Sequence, residues 1–470
     1  MIRKTKIIAT IGPKTSSIKS LKSLILKGVN VCRLNLSHVS HDAAKEIISN
    51  IKELNQELNV HTAILADLQG PKIRVGDFAK PIKLKKGTEV VFSTKKKKET
   101  IYINYKNFAK DVKSKDRVLL DDGRLGLEVL STNNKDLVVL KVVFGGILYS
   151  RKGVNLPNTV ITLPSLTQKD KKDLSFILTQ NIEWIGLSFV RKAKDIKDLK
   201  KIINSSNSLH KVVAKIEKPE AIRNINTIIE VSDAIMVARG DLGVEVPPQK
   251  VPVYQKMIVN KCIRNSTPVI IATQMLESMT TNPIATRAEV NDVANSVIDG
   301  ADALMLSGET SIGKHPFKAV DSMRKIIRDI ESSDHSISNI KEERVLKNNS
   351  RFLTNSICLN ATHIARQANA KAIITITYSG FNTIKVSSFR PKAFIYAFTN
   401  NHSILNTLSL VWGVQGFYYE GASTTSQTIK ETKEILKNKK HLRKGDIVVN
   451  IASMPARERG TTNMMKVSKI

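Results

Sequence analysis

Residues 211–243 read KVVAKIEKPEAIRNINTIIEVSDAIMVARGDLG, and this stretch decides the fold. A β-branched run at 211–216 is followed by a helix-like segment at 219–231 and a second apolar run at 234–237. Strands that alternate with amphipathic helices are typical of parallel sheets covered by helices. The stretch therefore predicts one βαβ unit of an α/β protein.

The same alternation extends over the first and middle thirds of the chain. The runs predicted as strands are residues 6–11, 30–34, 62–67, 184–188, 211–216, 234–237, 268–272 and 303–306. Helix-like stretches between them include residues 40–54, 192–203, 219–231, 253–265 and 287–299. About eight such pairs predict a closed (β/α)8 TIM barrel, in which chemistry gathers at the carboxyl ends of the strands.

Two further regions complete the predicted domain organisation. Residues 70–168 interrupt the barrel with short β-rich runs (89–93, 117–120, 125–130 and 137–144) and a tight Asp122-Gly123 turn, and we predict an inserted β-rich lid domain there. The barrel domain is then predicted to comprise residues 1–69 and 169–344. Strand-like runs at 372–377, 393–398, 413–418 and 446–451 predict a C-terminal open-sheet α/β domain over residues 345–470.

Composition excludes several classes of protein. The 470 residues are 41% hydrophobic, which is ample for packed cores and excludes wholesale disorder. The net charge of +32 favours polyanion binding, but the lysines are spread along the chain and aromatic residues are only 5%, so we expect no specific nucleic-acid partner. Three separated cysteines and no long apolar segment predict a cytoplasmic protein without a membrane span.

The strongest chemical pattern lies in the stretch quoted first. Lys215 and Glu217 are two residues apart at a strand end and therefore share a face. Asp241 follows the next strand, behind Gly240, which lets the backbone approach a ligand closely. Two carboxylates on adjacent strands can hold Mg²⁺, and a lysine can offset charge on a transferring phosphoryl group. A plain ion pair between Lys215 and Glu217 is the alternative.

Basic and hydroxyl side chains follow other predicted strands. The planar fork of Arg33 suits a phosphate dianion, although pairing with a neighbouring acid is the alternative. Thr273 places a hydroxyl after the seventh strand. Lys72 and Arg74 at one hinge of the lid, and Lys152 at the other, suit a polyphosphate in the cleft, whereas solvated surface charge is the alternative.

These motifs give the chain a strong resemblance to the pyruvate kinase family over nearly its whole length. The matching segments, in the family's order, are ATIGPK, VCRLNLSH, ADLQGPKIR, RKGVNLP, LSFVRKA, AKIEKPEAI, MVARGDLGVE, ATQMLESM, NPIATRAEVNDVANSV and LMLSGETSIGKHP. The resemblance implies Mg²⁺-dependent transfer of phosphate from phosphoenolpyruvate to ADP, giving pyruvate and ATP, in cytosolic glycolysis. It also implies a homotetramer.

The resemblance assigns roles to single residues. It implies that Glu217 and Asp241 hold Mg²⁺, that Lys215 stabilises the transferring phosphoryl group, and that Arg33 contacts the substrate phosphate. The substrate carboxylate is implied to bind the backbone of residues 238–241, including Gly240, and the Thr273 hydroxyl. Nucleotide contacts are implied for Asn35, Arg74 and Lys152. Ser307 and Thr273 are implied to lie on a path that delivers a proton to the enolate.

Two departures from the family pattern carry further expectations. Most members require K⁺, held at positions matching Asn35, Ser37, Asp67 and the Leu68 carbonyl, and carry an acidic residue where this chain has Lys72. An ammonium there can replace the charge of K⁺, so the sequence resembles the K⁺-independent bacterial branch and K⁺ is predicted to be dispensable.

The second departure is the effector turn at 377–383, TYSGFNT, which lacks the usual basic residue. Its absence predicts that fructose bisphosphate does not activate the protein and that the effector is monophosphorylated or there is none.

Two other functions remain open at this point. A carbon–carbon lyase or phosphomutase would also bind a Mg²⁺-bound enolate on a barrel, but it needs no nucleotide lid. A nucleic-acid-binding protein would use the net charge and predicts steeply salt-dependent retention of DNA or RNA.

Overall fold

The barrel begins near the amino terminus and is interrupted after its third strand. The computed structural model describes residues 3–157, 159–333, 351–422, 424–454 and 461–470. The first part of the barrel consists of β1 (Lys6–Ile11), α1 (Ile18–Leu26), β2 (Val31–Asn35), α2 (His41–Leu58) and β3 (Ala63–Asp67). The strands are almost wholly buried, as expected for a parallel sheet covered by helices.

The segment inserted after β3 is β-rich and has its own hydrophobic core. Its elements are β4 (Ile82–Leu84), β5 (Glu89–Ser93), β6 (Ile101–Tyr102), α3 (Phe108–Asp111), β7 (Arg117–Leu120), β8 (Leu125–Thr132), β9 (Leu137–Phe144), β10 (Gly146–Leu148) and β11 (Val154–Asn155). Six strands form one sheet in the order β11-β7-β8-β9-β5-β6, and β10 pairs with β4. Asp121, Asp122 and Gly123 all have positive φ in the turn between β7 and β8.

The remainder of the barrel follows without further interruption. Its elements are α4 (Gln168–Ile177), β12 (Trp184–Leu187), α5 (Ala193–Ser205), β13 (Lys211–Ile216), α6 (Pro219–Arg223), α7 (Ile225–Val231), β14 (Ala234–Ala238), α8 (Arg239–Glu245), α9 (Val251–Arg264), β15 (Val269–Ala272), α10 (Arg287–Ile298), β16 (Ala303–Leu306), α11 (Gly308–Ser311) and α12 (Pro316–Ser332). Eight parallel strands close in the order β1-β16-β15-β14-β13-β12-β3-β2, which confirms the predicted fold class.

The local differences from the predicted elements have physical causes. The helix expected over 219–231 divides into two at Asn224. The side chain of Asn224 donates to the Arg191 carbonyl at 2.9 Å, which holds the chain at this break. Helix α8 begins directly after β14, so the strand end at Ala238 is also a helix N-terminus. Thr286 and Glu289 form the capping box that starts α10.

The C-terminal domain is a five-stranded sheet with helices. It consists of α13 (Phe352–Gln367), β17 (Ala372–Ile376), α14 (Phe381–Ser388), β18 (Phe394–Thr399), α15 (His402–Leu408), β19 (Val414–Tyr418), α16 (Thr425–Asn438), β20 (Ile447–Ala452) and β21 (Met464–Lys469). The order is β19-β18-β17-β20-β21, with β21 antiparallel at the edge. The predicted limit between residues 344 and 345 lies outside the described residues. Among the described helices, none is long and apolar enough to cross a membrane.

Candidate active site

The predicted site residues converge at the carboxyl ends of the barrel strands. Lys215 lies on β13, Arg33 on β2 and Asp67 at the end of β3. Glu217 follows β13 directly, and Asp241 lies in the first turn of α8 after β14. Because these strands are parallel and neighbouring, their ends open into one pocket.

Lys215 lies at the centre of this pocket. Its Nζ atom is 3.2 Å from Asp67 Oδ1, 3.0 Å from Glu217 Oε1 and 2.7 Å from Ser188 Oγ. Burial alone lowers the pKa of Lys215, but Asp67 and Glu217 outweigh burial and raise the pKa above its ordinary value. The lysine is therefore a permanent buried cation.

Arg33 is oriented by the same carboxylate. Its Nε and Nη2 atoms donate to Asp67 Oδ2 at 2.9 and 2.5 Å, and its Nη1 donates to Thr10 Oγ1 at 3.0 Å. Burial opposes ionisation of Asp67, yet Lys215 and Arg33 hold the pKa of that carboxyl below its usual range. The acid-paired alternative for Arg33 is thus what the structure contains, and the pairing fixes the guanidinium at the pocket.

The two predicted magnesium ligands share an electrostatic environment. Glu217 is buried, and its Oε2 accepts a hydrogen bond from the Phe189 amide at 2.8 Å. Burial raises the pKa of Glu217. The attraction of Lys215 acts in the opposite direction, and repulsion from Asp241 adds to the effect of burial. A divalent cation between these two carboxylates would relieve both effects, so the residues fit Mg²⁺. The described residues contain no cluster of three His, Cys, Asp or Glu side chains suited to a metal.

A second set of groups surrounds the N-terminus of α8. The Gly240 amide donates to Thr273 Oγ1 at 2.6 Å, and a Cβ on Gly240 would stand only 3.2 Å from that oxygen. Thr273 and Gln274 have φ of 70° and 55°, strained values that are held by Arg239, which donates to both of their carbonyls. These contacts bring the Gly240 amide and the Thr273 hydroxyl together at the N-terminus of α8.

The lid cations lie along the cleft. Lys72 Nζ is 3.9 Å from Asp241 Oδ1, and Lys152 Nζ is 2.7 Å from Asp121 Oδ1. Arg74 donates to the Arg151 carbonyl at 3.0 Å, which ties the two hinges of the lid together. Burial and then the cations Arg74, Arg33, Lys72 and Lys169 lower the pKa of His38, so four cations act on this histidine near the cleft.

The positions matched to a potassium site already have protein partners. Asn35 Oδ1 accepts from the Ser37 amide at 3.1 Å, and the Leu68 carbonyl accepts from Ser188 Oγ at 2.7 Å. Asp67 is shared by Arg33 and Lys215. Ser307, expected on a proton path, has a buried hydroxyl without a hydrogen-bond partner among the described residues.

Two residues to which the sequence assigned no role also contribute to the site. Ser188, a ligand-competent side chain that the sequence places after a barrel strand, joins the Lys215 ammonium to the Leu68 carbonyl. Glu245 accepts from Lys218 Nζ at 2.5 Å and from Asn155 Nδ2 at 2.8 Å, and so connects the lid to the barrel. Glu245 lies past the strand ends, and no spacing in the sequence marks it.

The barrel, the lid and the charged pocket define a (β/α)8-barrel enzyme. A family model described as "Pyruvate kinase, barrel domain" matches residues 2–320, and "Pyruvate kinase, alpha/beta domain" matches residues 355–468. Pyruvate kinase of Geobacillus stearothermophilus is 40% identical over 477 residues, covering 100% of this chain and 81% of the relative. Pyruvate kinase 2 of Synechocystis sp. is 42% identical over 476 residues, covering 100% of this chain and 79% of the relative.

Solved structures agree with this relationship. The crystal structure of a pyruvate kinase from Cryptosporidium parvum superposes with a TM-score of 0.91 at 35% identity, covering 99% of this chain and 96% of that one. The chain belongs to the pyruvate kinase family. It is accordingly a phosphotransferase, and neither the lyase nor the nucleic-acid alternative is its class.

Proposed function

We propose that this pocket transfers the phosphoryl group of phosphoenolpyruvate to ADP, with Lys215 as the central catalytic residue. The observation that carries the proposal is the buried Lys215 ammonium, held within 3.2 Å of carboxylates from two different barrel strands. Phosphoryl transfer depends on positioning and on fixed positive charge, since the charge on the phosphoryl oxygens must be offset. A cation that stays protonated in the pocket meets that need.

Glu217 and Asp241 are the proposed Mg²⁺ ligands. Bound there, the metal would polarise phosphoryl and carboxylate oxygens of the substrate. Glu217 is held in place for this role at both of its oxygens, Oε2 by the Phe189 amide and Oε1 by Lys215. Asp241 remains partly exposed, which leaves room for a substrate oxygen beside it.

Arg33, Gly240 and Thr273 are the proposed substrate-binding groups. Arg33, fixed by Asp67, would contact the substrate phosphate. The amides at the start of α8 and the Thr273 hydroxyl would hold the substrate carboxylate, because helix N-termini favour anions. Within the described part of the chain the buried Ser307 hydroxyl has no hydrogen-bond partner, which supports a place for it, with Thr273, on the path that delivers a proton to the enolate.

The nucleotide is proposed to bind between the barrel and the lid. Asn35 lies at the end of β2, and Arg74 and Lys152 lie at opposite hinges of the lid. Burial lowers the pKa of His38, and Arg74, Arg33, Lys72 and Lys169 lie close enough to lower it further. These neighbouring cations support a polyphosphate site, since charges of one sign focus an anionic ligand into a cleft.

K⁺ is proposed to be dispensable. The Lys72 ammonium already lies 3.9 Å from Asp241, and Asp67 already carries two cationic partners. An added monovalent cation therefore has less negative charge to balance.

We further propose that the protein is a cytoplasmic homotetramer and that its partners are small molecules rather than nucleic acid. The limits of its three domains are proposed to lie near 69/70, 168/169 and 344/345.

The direct test is a coupled assay for ATP and for pyruvate, with phosphoenolpyruvate, ADP and Mg²⁺. We expect equal amounts of the two products, and no product after the metal is chelated. Pyruvate formed without ADP would instead indicate simple phosphate hydrolysis, and the absence of both products would refute the proposal.

A further inference from the structure

Phe189 connects the first hinge of the lid to Glu217, one of the two proposed Mg²⁺ ligands. It lies two residues after β12, and its backbone amide donates to Glu217 Oε2 at 2.8 Å. Its φ is 55°, in the left-handed region that residues with a side chain rarely adopt. Such a backbone persists only where the surrounding contacts hold it, and the contacts of Phe189 therefore bear on the orientation of Glu217.

One of these contacts is with Gly70, the hinge residue through which the chain leaves β3 for the lid. A Cβ atom added to Gly70 would stand 2.8 Å from Phe189 Cδ2 and 2.9 Å from Ser188 Cβ, closer than such atoms approach one another in proteins. The ring of Phe189 therefore packs directly against the backbone of the hinge, and only a glycine at position 70 leaves room for it.

Gly70 is itself fixed in place. Its φ is 68°, and its amide donates to Asp170 Oδ1 at 3.0 Å. Asp170 is buried in the first turn of α4, where its other oxygen accepts from the Thr167 amide in the capping box of that helix. The hinge is therefore tied to the helix with which the barrel resumes after the lid, and the Phe189 ring packs against an anchored surface.

The Phe189 ring also contacts residues next to both proposed metal ligands. Lys218, which follows Glu217 in the chain, has its Nζ atom 6.0 Å from the centre of the ring, at the outer limit of a cation–π contact. The same Nζ atom donates to Glu245 Oε1 at 2.5 Å, which limits its movement. Phe189 and Asp241 line one small cavity of about 20 Å³. The ring is thus held from the side of the hinge and lies beside the ligand set.

We propose that Phe189 is a positioning residue that sets the affinity of the Glu217 and Asp241 pair for a divalent cation. Gly70 holds the ring, the ring holds the left-handed backbone, and the backbone amide holds Glu217 Oε2. A carboxylate that is already oriented loses less freedom when it binds a metal, and outer contacts of this kind change metal affinity by about 10–100-fold. The inference rests on the proposed function, because it takes Glu217 as a ligand of Mg²⁺.

The test is titration of the full chain with Mn²⁺ in the absence of substrates, with free Mn²⁺ measured by electron paramagnetic resonance. The variants are Phe189→Ala, Gly70→Ala and the two combined, and Glu217→Gln identifies the site that is being measured. The control is Gly87→Ala. Gly87 is a lid residue that also has positive φ, 85°, but nothing lies within 4 Å of its Cβ position, so this variant strains the backbone without touching Phe189.

We expect Phe189→Ala and Gly70→Ala each to weaken Mn²⁺ binding about tenfold. The combined variant should lose no more than either single variant, because both changes act through the same contact. Gly87→Ala should bind like the native chain, and Glu217→Gln should bind far more weakly. Phe189→Ala introduces no clash, so it decides the proposal even where Gly70→Ala destabilises the hinge.

Two kinds of failure can be told apart. Native affinity in a folded Phe189→Ala variant overturns the inference and leaves the proposed function standing. So does a loss of about a hundredfold in the combined variant, which would mean independent effects, or a loss in Gly87→Ala equal to that in Gly70→Ala. A native chain that binds no Mn²⁺, or a Glu217→Gln variant that binds it like the native chain, overturns the proposed metal site together with the inference.

Discussion

The Nζ atom of Lys215 lies 3.0 Å from a carboxylate oxygen of Glu217, the residue two positions further along the chain. Both side chains are buried, so this pair interacts in a medium that screens charge weakly. The pKa of each is raised: that of Glu217 by burial, and that of Lys215 by its two carboxylates in spite of burial. Lys215 is therefore a fixed charge in the pocket and not a proton donor near neutral pH.

Glu245 should hold the lid hinge to the barrel. Replacing it by Gln leaves the buried Lys218 without its anionic partner, which we expect to lower the free energy of unfolding by about 3 kcal/mol. Urea unfolding measures this, with Glu57→Gln as the control. Glu57 pairs with Lys22 at the exposed surface, so its loss should cost less than about 1 kcal/mol. Equal stabilities for the two variants would contradict the role of Glu245.

Glu183 should make stability depend on pH. It is buried, accepts from Ile64 and Asn406, and burial raises its pKa from 4.5 to about 7. The folded protein therefore binds a proton that the unfolded chain releases between these values, and stability falls as pH rises through this window. The loss approaches about 3 kcal/mol above pH 7.

Denaturant unfolding at several pH values checks this expectation. The native chain should lose stability between pH 5 and pH 7 relative to Glu183→Gln, whose side chain does not titrate. Parallel stability curves for the two proteins would show that Glu183 ionises normally in the fold.

Lys72 should decide the response to K⁺. In sodium-free Tris buffer, KCl should leave the native activity nearly unchanged, because an ammonium already lies by Asp241. Lys72→Glu reverses that charge and should make KCl stimulate activity about tenfold. This factor corresponds to one ion contact of about 1.4 kcal/mol between K⁺ and the new carboxylate. Lys85→Glu, an exposed lid variant, controls for net charge. Strong stimulation of the native chain would refute K⁺ independence.

The sequence predicted the barrel well because its strands are almost wholly buried. Continuous apolar runs such as Ala234–Ala238 give a strong signal, and the polar residues after them fall together once the barrel closes. The residues Lys215, Glu217 and Asp241 could be found in this way. Short edge strands such as Val154–Asn155 escaped, since two residues carry no periodicity.

Other features depend on contacts that sequence spacing does not encode. The edge strand Met464–Lys469 has no buried residue and lacks an apolar run, so its pairing with Ile447–Ala452 was missed. The contact of Glu245 with Asn155 joins residues 90 positions apart, in the barrel and the lid. A cavity of about 740 Å³, lined by residues such as Lys6 and Val414, likewise arises only when the C-terminal domain packs against the amino ends of the barrel strands.

The most direct measurement of the central claim compares kcat for ATP formation in the native chain and in Lys215→Met, with Lys211→Met as the control from the other end of the same strand. We expect Lys215→Met to lower kcat by about 10²–10³-fold, with far less change in the KM for phosphoenolpyruvate, because the lost charge acts mainly in the transition state. Lys211→Met should retain native kcat. A folded Lys215→Met variant with native kcat would contradict the account.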